Sequence, residues 1–140
     1  VEETDTPLQR GQTVRDAIGD LPNPADEHGV GAYYNHEFRD GARIYAGHSG
    51  SKMDEPSKTI KAGAPGVPGG ENMGVLDDGS VRYYTVRESA RIQTFPDDYI
   101  FSASWTESMR QIGNAVPVKL AKAVGDSVIT QMKGLVKHNG

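Results

Sequence analysis

Basic and hydroxyl-bearing side chains between Phe38 and Ala62 have the chemistry needed to bind a nucleic acid. An arginine can donate two parallel hydrogen bonds to O6 and N7 of guanine in the major groove of DNA, and Arg43 is the candidate for such a contact. Lysine and serine side chains contact phosphate oxygens. The candidates for phosphate contact are Ser49, Ser51, Lys52, Lys58 and Lys61. The same residue types also cover ordinary solvated surfaces, so this stretch alone leaves both interpretations open.

The residue patterns of common enzyme active sites are missing from the sequence. It contains no cysteine, no Gly-x-Ser-x-Gly motif and no P-loop. The Gly-rich stretch from Gly66 to Gly74 lacks a Lys-Ser/Thr pair and does not open a helix. The four histidines are not spaced as metal ligands. We therefore expect no catalytic residue and no metal site, and the pattern is typical of a binding module with its contacts on loops.

The length and charge of the chain further limit the class of protein it can be. A chain of 140 residues with 17 glycines and 8 prolines predicts one modest, turn-rich domain. The net charge of −4 argues against a uniformly basic nucleic-acid binder. Residues 1–30 carry seven acidic and two basic side chains, whereas residues 31–62 carry four acidic and five basic ones. The middle of the chain can therefore still present a local basic surface.

Two features limit where the chain acts and how it is made. No apolar run approaches the length of a membrane span and no signal peptide is present. The first residue is valine rather than methionine, which fits a processed chain or a piece of a longer protein.

Three helices are predicted in the second half of the chain. Thr85 to Glu88 has the form of a capping box, and the helix that follows should bury Val86, Ala90 and Ile92 before Pro96 ends it. Ser104 predicts the N-cap of a helix through Gln111. We expect Gly113 to follow that helix in the left-handed conformation and Pro117 to lie in the first turn of the next. That last helix, of about four turns, should carry an apolar stripe of Val116, Leu120, Val124 and Val128.

The first half of the chain predicts short elements. Thr13 caps a short helix through Ile18, with Asp16 favourably placed in its first turn. Arg43–Ala46 and Lys58–Ala62 are strand candidates, joined in part by a polar loop at Gly47–Lys52. An Asp78-Gly79 turn predicts a β-hairpin between Gly74–Leu76 and Val81–Tyr83. The fold class is therefore α+β, with short strands and long loops.

Several segments resemble the DNA cytosine-5 methyltransferases. Tyr84–Asp97, YTVRESARIQTFPD, resembles the ninth conserved block of that family, and Gln111–Pro117, QIGNAVP, resembles the tenth and last. Thr13–Pro22 is similar to a segment that many bacterial members carry after the eighth block. Asp54–Ile60 resembles a short pattern in the family's target-recognition domain. One departure is Val118, where bacterial members often have a second proline.

The resemblance implies a domain plan and a set of site residues. It implies a small mixed target-recognition lobe at 13–83 and helical blocks at 84–132 that complete an S-adenosylmethionine-dependent α/β methyltransferase fold. Composition adds a polar lead-in at 1–12 and a basic, fraying tail at 133–140. Asn114, Ala115 and Val116 would lie beside the methionine part of S-adenosylmethionine; the alternative is a plain helix–helix turn with Asn114 as its cap. The DNA contacts it implies are Arg39 near the gap left by a flipped base, Arg43 and Tyr45 at a guanine contact, and Thr59 at a phosphate.

The family's Gly-rich cofactor loop and its Pro-Cys dipeptide are absent from the sequence. The resemblance therefore implies the C-terminal part of such an enzyme. This part is either a fragment or the separate recognition-and-completion subunit of a two-chain bacterial enzyme in a restriction-modification system. Its partners would be a larger catalytic chain and double-stranded DNA, in the cytoplasm and at the nucleoid. Arg87, Glu88 and Arg91 would be structural, and the apolar stripe would dock on the catalytic chain. The alternatives are a stand-alone DNA-binding module and a structural fragment without activity.

Overall fold

The computed structural model describes residues 11–26, 29, 31–60, 72–115 and 118–138. This part of the chain forms a small α+β structure, as the sequence predicts. Its helices are α1 Val14–Ile18, α2 Val86–Ile92, α3 Trp105–Asn114 and α4 Val118–His138. Its strands are β1 Ser51–Lys52, β2 Met73–Val75 and β3 Val81–Tyr83.

Reciprocal capping boxes start α1 and α2, which confirms both predicted caps. The Thr13 side chain accepts from the backbone N–H of Asp16, and the Thr85 side chain accepts from that of Glu88. In each box the acidic side chain returns a bond to the backbone N–H of the threonine. Such a pair satisfies two of the donors that a helix start leaves without partners. A left-handed Thr94, with φ 65°, then closes α2.

The sheet has the order β1-β2-β3, with β1 parallel and β3 antiparallel to β2. The hairpin of β2 and β3 confirms the prediction, but its loop has three residues rather than two. The N–H of Gly79 donates to the carbonyl of Leu76, and the N–H of Leu76 donates to that of Ser80. Gly79 takes the left-handed conformation at φ 84°. A type I turn followed by a left-handed glycine is the usual three-residue hairpin loop.

The two other strand predictions fail in the described residues. Arg43–Ala46 is not a strand, because the chain turns back at once: the N–H of His48 donates to the carbonyl of Tyr45, and Gly47 takes φ 78°. Residues 58–60 form no ladder, since the Lys58 N–H donates to a side-chain hydroxyl instead. Lys61 and Ala62 lie outside the described residues. The strand β1 lies in the segment that the sequence predicts to be a loop.

The core lies between α1, α2 and α3, and α2 supplies its most deeply buried charge. Arg87 is 0% exposed and donates to the carbonyls of Tyr34, Pro96 and Tyr99. Burial lowers the pKa of this guanidinium. Ile92, expected to be buried, is only partly so. The buried apolar members of the core are Val14, Ala17, Ile18, Ile60, Tyr84, Val86, Ala90, Phe101, Met109 and Ile112.

The C-terminal helices differ from the prediction at the bend between them. Gly113 is a helical residue inside α3 and not a left-handed cap, because α3 continues to Asn114 before Ala115 turns extended at φ −75° and ψ 143°. Helix α4 has 21 residues and reaches His138, so it is longer than the four turns that the sequence predicts. Pro117 lies outside the described residues. No helix in the described ranges is long and apolar enough to cross a membrane.

Candidate functional site

A cavity of about 380 Å³ brings together residues to which the family resemblance gives two different roles. Lys58 and Thr59 of the DNA-binding set line one side of it, and Ala115 of the cofactor set lines another, next to Gly113. We call it the Thr59–Ala115 cavity. Its remaining walls come from α1 and from the end of α2, including Gln93. Because glycine and alanine have small side chains, this part of the bend leaves room for a ligand.

The wall that carries Thr59 is tied to α1. The backbone N–H groups of Val14 and Arg15 donate to the carbonyls of Glu55 and Met53, at 2.9 and 2.8 Å. The guanidinium of Arg15 also pairs with the carboxylates of Asp54 and Asp77. The hydrogen bonds that Arg15 donates to Asp77 and Asp54 raise the pKa of Arg15, so it stays charged. The segment that presents Thr59 is therefore held in place by contacts that do not use Thr59 itself.

Among the predicted phosphate contacts, Ser51 requires a correction. It is 3% exposed and its hydroxyl accepts from the backbone N–H of Lys58 at 2.9 Å. It therefore shapes the segment that follows and does not face solvent. Ser49 and Lys58 are exposed and joined by a bond of 2.9 Å from Nζ to Oγ. Lys52 is exposed on β1, and Lys61 lies outside the described residues.

The cofactor candidates sit at the bend between α3 and α4. Asn114 is exposed, Ala115 is partly buried at the cavity wall, and Val116 lies outside the described residues. The side chain of Gln93 reaches this bend from the end of α2. Its Nε2 atom lies 3.0 Å from the carbonyl oxygen of Ile112 and 3.3 Å from that of Ala115. Sequence reasoning missed Gln93, whose only signal was its position within the Tyr84–Asp97 motif.

A model of the C-5 cytosine-specific DNA methylase family matches residues 6–130. The chain belongs to this family.

The chain is also similar to individual type II methyltransferases. The chain is 34% identical over 154 residues to the type II methyltransferase M.MthTI of Methanothermobacter thermautotrophicus, with 93% of the chain and 47% of that relative covered. It is 35% identical over 133 residues to M.HindV of Haemophilus influenzae, covering 91% and 40%. It is 37% identical over 147 residues to M.BsuRI of Bacillus subtilis, covering 89% and 32%. The chain thus spans less than half the length of these curated relatives.

In this C-5 cytosine DNA methylase chain, two of the DNA-contact candidates stack on aromatic rings. The guanidinium carbon of Arg39 lies 4.2 Å from the centre of the Trp105 ring, and that of Arg43 lies 6.0 Å from the Tyr45 ring. Both arginines and Tyr45 are exposed. Nothing in the sequence indicates the contact between Arg39 and Trp105.

Arg87, Glu88 and Arg91 of the Tyr84–Asp97 motif make structural contacts, as expected. Arg87 binds backbone carbonyls in the core, and Glu88 pairs with Arg82 at 2.7 Å while capping α2. Arg91 pairs with Asp97 at 2.7 Å, and its hydrogen bond lowers the pKa of that carboxyl. In the described residues, no group of three or more histidines or carboxylates could hold a metal ion.

Proposed function

We propose that this chain is the DNA-recognition and completion part of a DNA cytosine-5 methyltransferase, working with a catalytic chain. Together they transfer a methyl group from S-adenosylmethionine to C5 of a cytosine flipped out of double-stranded DNA. The observation that carries this proposal is that Thr59 and Ala115 line one cavity. A phosphate contact beside the flipped nucleotide and a contact to the methyl donor must lie near each other in such an enzyme, because both flank one base.

The DNA side of the site is built from exposed side chains around that cavity and on the loop before it. Extruding a base costs a few kcal/mol of unstacking and unpairing. Thr59 and Lys58 at the cavity, with Ser49 bonded to Lys58, bind phosphate oxygens and hold the distorted strand. Arg43 reads a guanine beside the target. Arg39 lies near the gap that the flipped base leaves.

The cofactor side of the site is the bend after α3. Asn114 and Ala115, with Val116 beyond the described residues, contact the methionine part of S-adenosylmethionine. The cofactor, when bound, supplies the electrophilic methyl group. The sequence contains no cysteine, so the nucleophile that attacks the cytosine ring comes from the catalytic chain. The role of this chain is to hold DNA and cofactor in register with that nucleophile.

An apolar face on α4 supports a partner of this kind. Its exposed members are Val124, Val128, Ile129, Met132 and Leu135. The described side chains from Lys122 to Leu135 are all exposed. Apolar patches of this kind on a soluble protein mark interaction sites, and a catalytic chain that lacks its last helix is the complementary partner.

Methyl transfer by separate and mixed chains tests the proposal. The chain, a catalytic chain that carries the Gly-rich loop and the Pro-Cys dipeptide, and their mixture are each incubated with tritiated S-adenosylmethionine and duplex DNA. We expect tritium in DNA only with the mixture. If no catalytic chain restores transfer while this chain alone binds one DNA sequence tightly, the chain is a stand-alone DNA-binding module instead.

A further inference from the structure

The side chain of Gln93 connects the end of α2 to the end of α3. Gln93 follows directly after α2, where its backbone N–H caps the helix. Its Nε2 group donates to the carbonyl of Ile112 at 3.0 Å and to that of Ala115 at 3.3 Å. One carboxamide thus bridges two carbonyls on either side of Gly113 and Asn114.

These carbonyls lie where backbone donors are scarce. The last carbonyls of a helix have no partner within it. The carbonyl of Ile112 receives the N–H of Ala115 at 3.1 Å as well as Gln93. Pro117, two residues after Ala115, has no N–H to offer. Gln93 therefore adds a second donor to the carbonyl of Ile112 and one donor to the carbonyl of Ala115.

Gln93 extends from the end of α2, a helix that is held firmly in the core. Helix α2 is fixed by its capping box and by Arg87, whose guanidinium binds three carbonyls in the core. Gln93 also lines the Thr59–Ala115 cavity. The same side chain thus touches the bend and faces the space that the bend helps to enclose.

We infer that Gln93 is a positioning residue for the methyl-donor site: its carboxamide holds the α3–α4 bend in the shape in which Asn114 and Ala115 contact S-adenosylmethionine. This inference rests on the proposed function and adds to it a residue that acts on the methyl-donor site through the bend. Gln93 neither binds DNA nor reacts. Its loss should therefore weaken the binding of the methyl donor and leave the binding of DNA unchanged.

The test compares Gln93→Glu and Gln93→Met with wild type in the complex with the catalytic chain. Glutamate keeps the shape but turns the donor into a carboxylate that faces two carbonyl oxygens, and methionine removes the donor without adding charge. Calorimetry with S-adenosylmethionine should give a Kd raised about tenfold for Gln93→Glu and about threefold for Gln93→Met. The KM for S-adenosylmethionine should rise in step, with the Kd for DNA unchanged. Gln111→Glu, the same change at an exposed position of α3, is the matched control.

Each outcome decides something. If the Gln93→Glu complex binds S-adenosylmethionine with the wild-type Kd, and the wild-type complex transfers methyl groups, this inference is overturned and the proposed function stands. Equal losses of methyl-donor binding, DNA binding and subunit assembly also overturn it, because they mark a residue that only stabilises the fold. A wild-type complex that neither binds S-adenosylmethionine nor methylates DNA overturns the proposed function, and this inference with it.

Discussion

The guanidinium of Arg39 lies over the ring of Trp105, with 4.2 Å between the guanidinium carbon and the ring centre. The ring is itself fixed, because its Nε1–H donates to the carbonyl of Tyr84 at 3.3 Å and it packs against the Tyr83 ring, with 5.9 Å between the two ring centres. A cation over an indole at an exposed site contributes about 0.5–1 kcal/mol. The stacking restricts the exposed Arg39 side chain before DNA arrives, so less conformational entropy is lost on binding.

The Arg39–Trp105 pair should therefore appear as coupling in DNA affinity. We expect Arg39→Ala and Trp105→Leu each to weaken binding of a labelled duplex. The double variant should lose about 0.5–1 kcal/mol less binding free energy than the sum of the two single losses. Fluorescence anisotropy of the duplex measures all four affinities. Arg110→Ala, on an arginine of α3 that pairs with Glu107, is the control. Strictly additive losses would mean that Trp105 does not act through Arg39.

Arg43 should determine base preference and not overall affinity. Arg43→Ala is expected to cost about 1–3 kcal/mol of discrimination between the preferred site and sites with guanine replaced. Competition binding with a panel of duplexes, each changed at one base pair, gives this difference directly. Lys52→Ala, at an exposed lysine on β1, should instead weaken all duplexes alike. An equal loss on every sequence for Arg43→Ala would refute base readout by this residue.

The two capping threonines offer a matched pair for stability. Both caps make the same bonds, but the hydroxyl of Thr85 also lies 2.8 Å from Nδ1 of the buried His36, whose Nε2 donates to the carbonyl of Pro22. Loss of a cap costs about 1 kcal/mol, and a buried partner left unsatisfied adds about 1–3 kcal/mol. Urea unfolding should therefore show Thr85→Ala to be clearly less stable than Thr13→Ala. Equal free energies would show that the His36 contact contributes nothing.

Asp97 should make part of the free energy of unfolding depend on pH in the acid range. The hydrogen bond from Arg91 lowers the pKa of Asp97 in the folded state. A carboxyl whose pKa is lowered in the folded state stabilises the protein at pH values above its unfolded-state pKa of about 3.9. This stabilisation is lost as the pH falls through the folded-state pKa. Asp97→Asn should lower the free energy of unfolding at pH 7 by up to about 1 kcal/mol, because the pair is partly exposed. Urea titrations at pH 7 and pH 3 should show this difference shrinking in acid; a constant difference contradicts the assignment.

Local signals predicted the helices, and non-local contacts decided the rest. Thr85 and Glu88 are three residues apart, so their capping box is visible in sequence. Gln93 and Ile112 are 19 residues apart, and nothing in the sequence shows that the end of α2 meets the end of α3. The burial of Ser51 was missed for the same reason, since it depends on a turn that brings back the backbone of Lys58.

The exposed apolar face of α4 should be needed for assembly and not for folding. Val128 is 49% exposed in the chain alone, so Val128→Asp should leave the free energy of unfolding within about 0.5 kcal/mol of wild type. In the complex the new carboxylate would be buried without a partner, which costs several kcal/mol and should abolish association with the catalytic chain. Thr130→Asp, about half a helical turn away on the exposed opposite face, should assemble normally. Analytical ultracentrifugation of each variant with the catalytic chain measures association, and a Val128→Asp chain that still assembles would place the interface elsewhere.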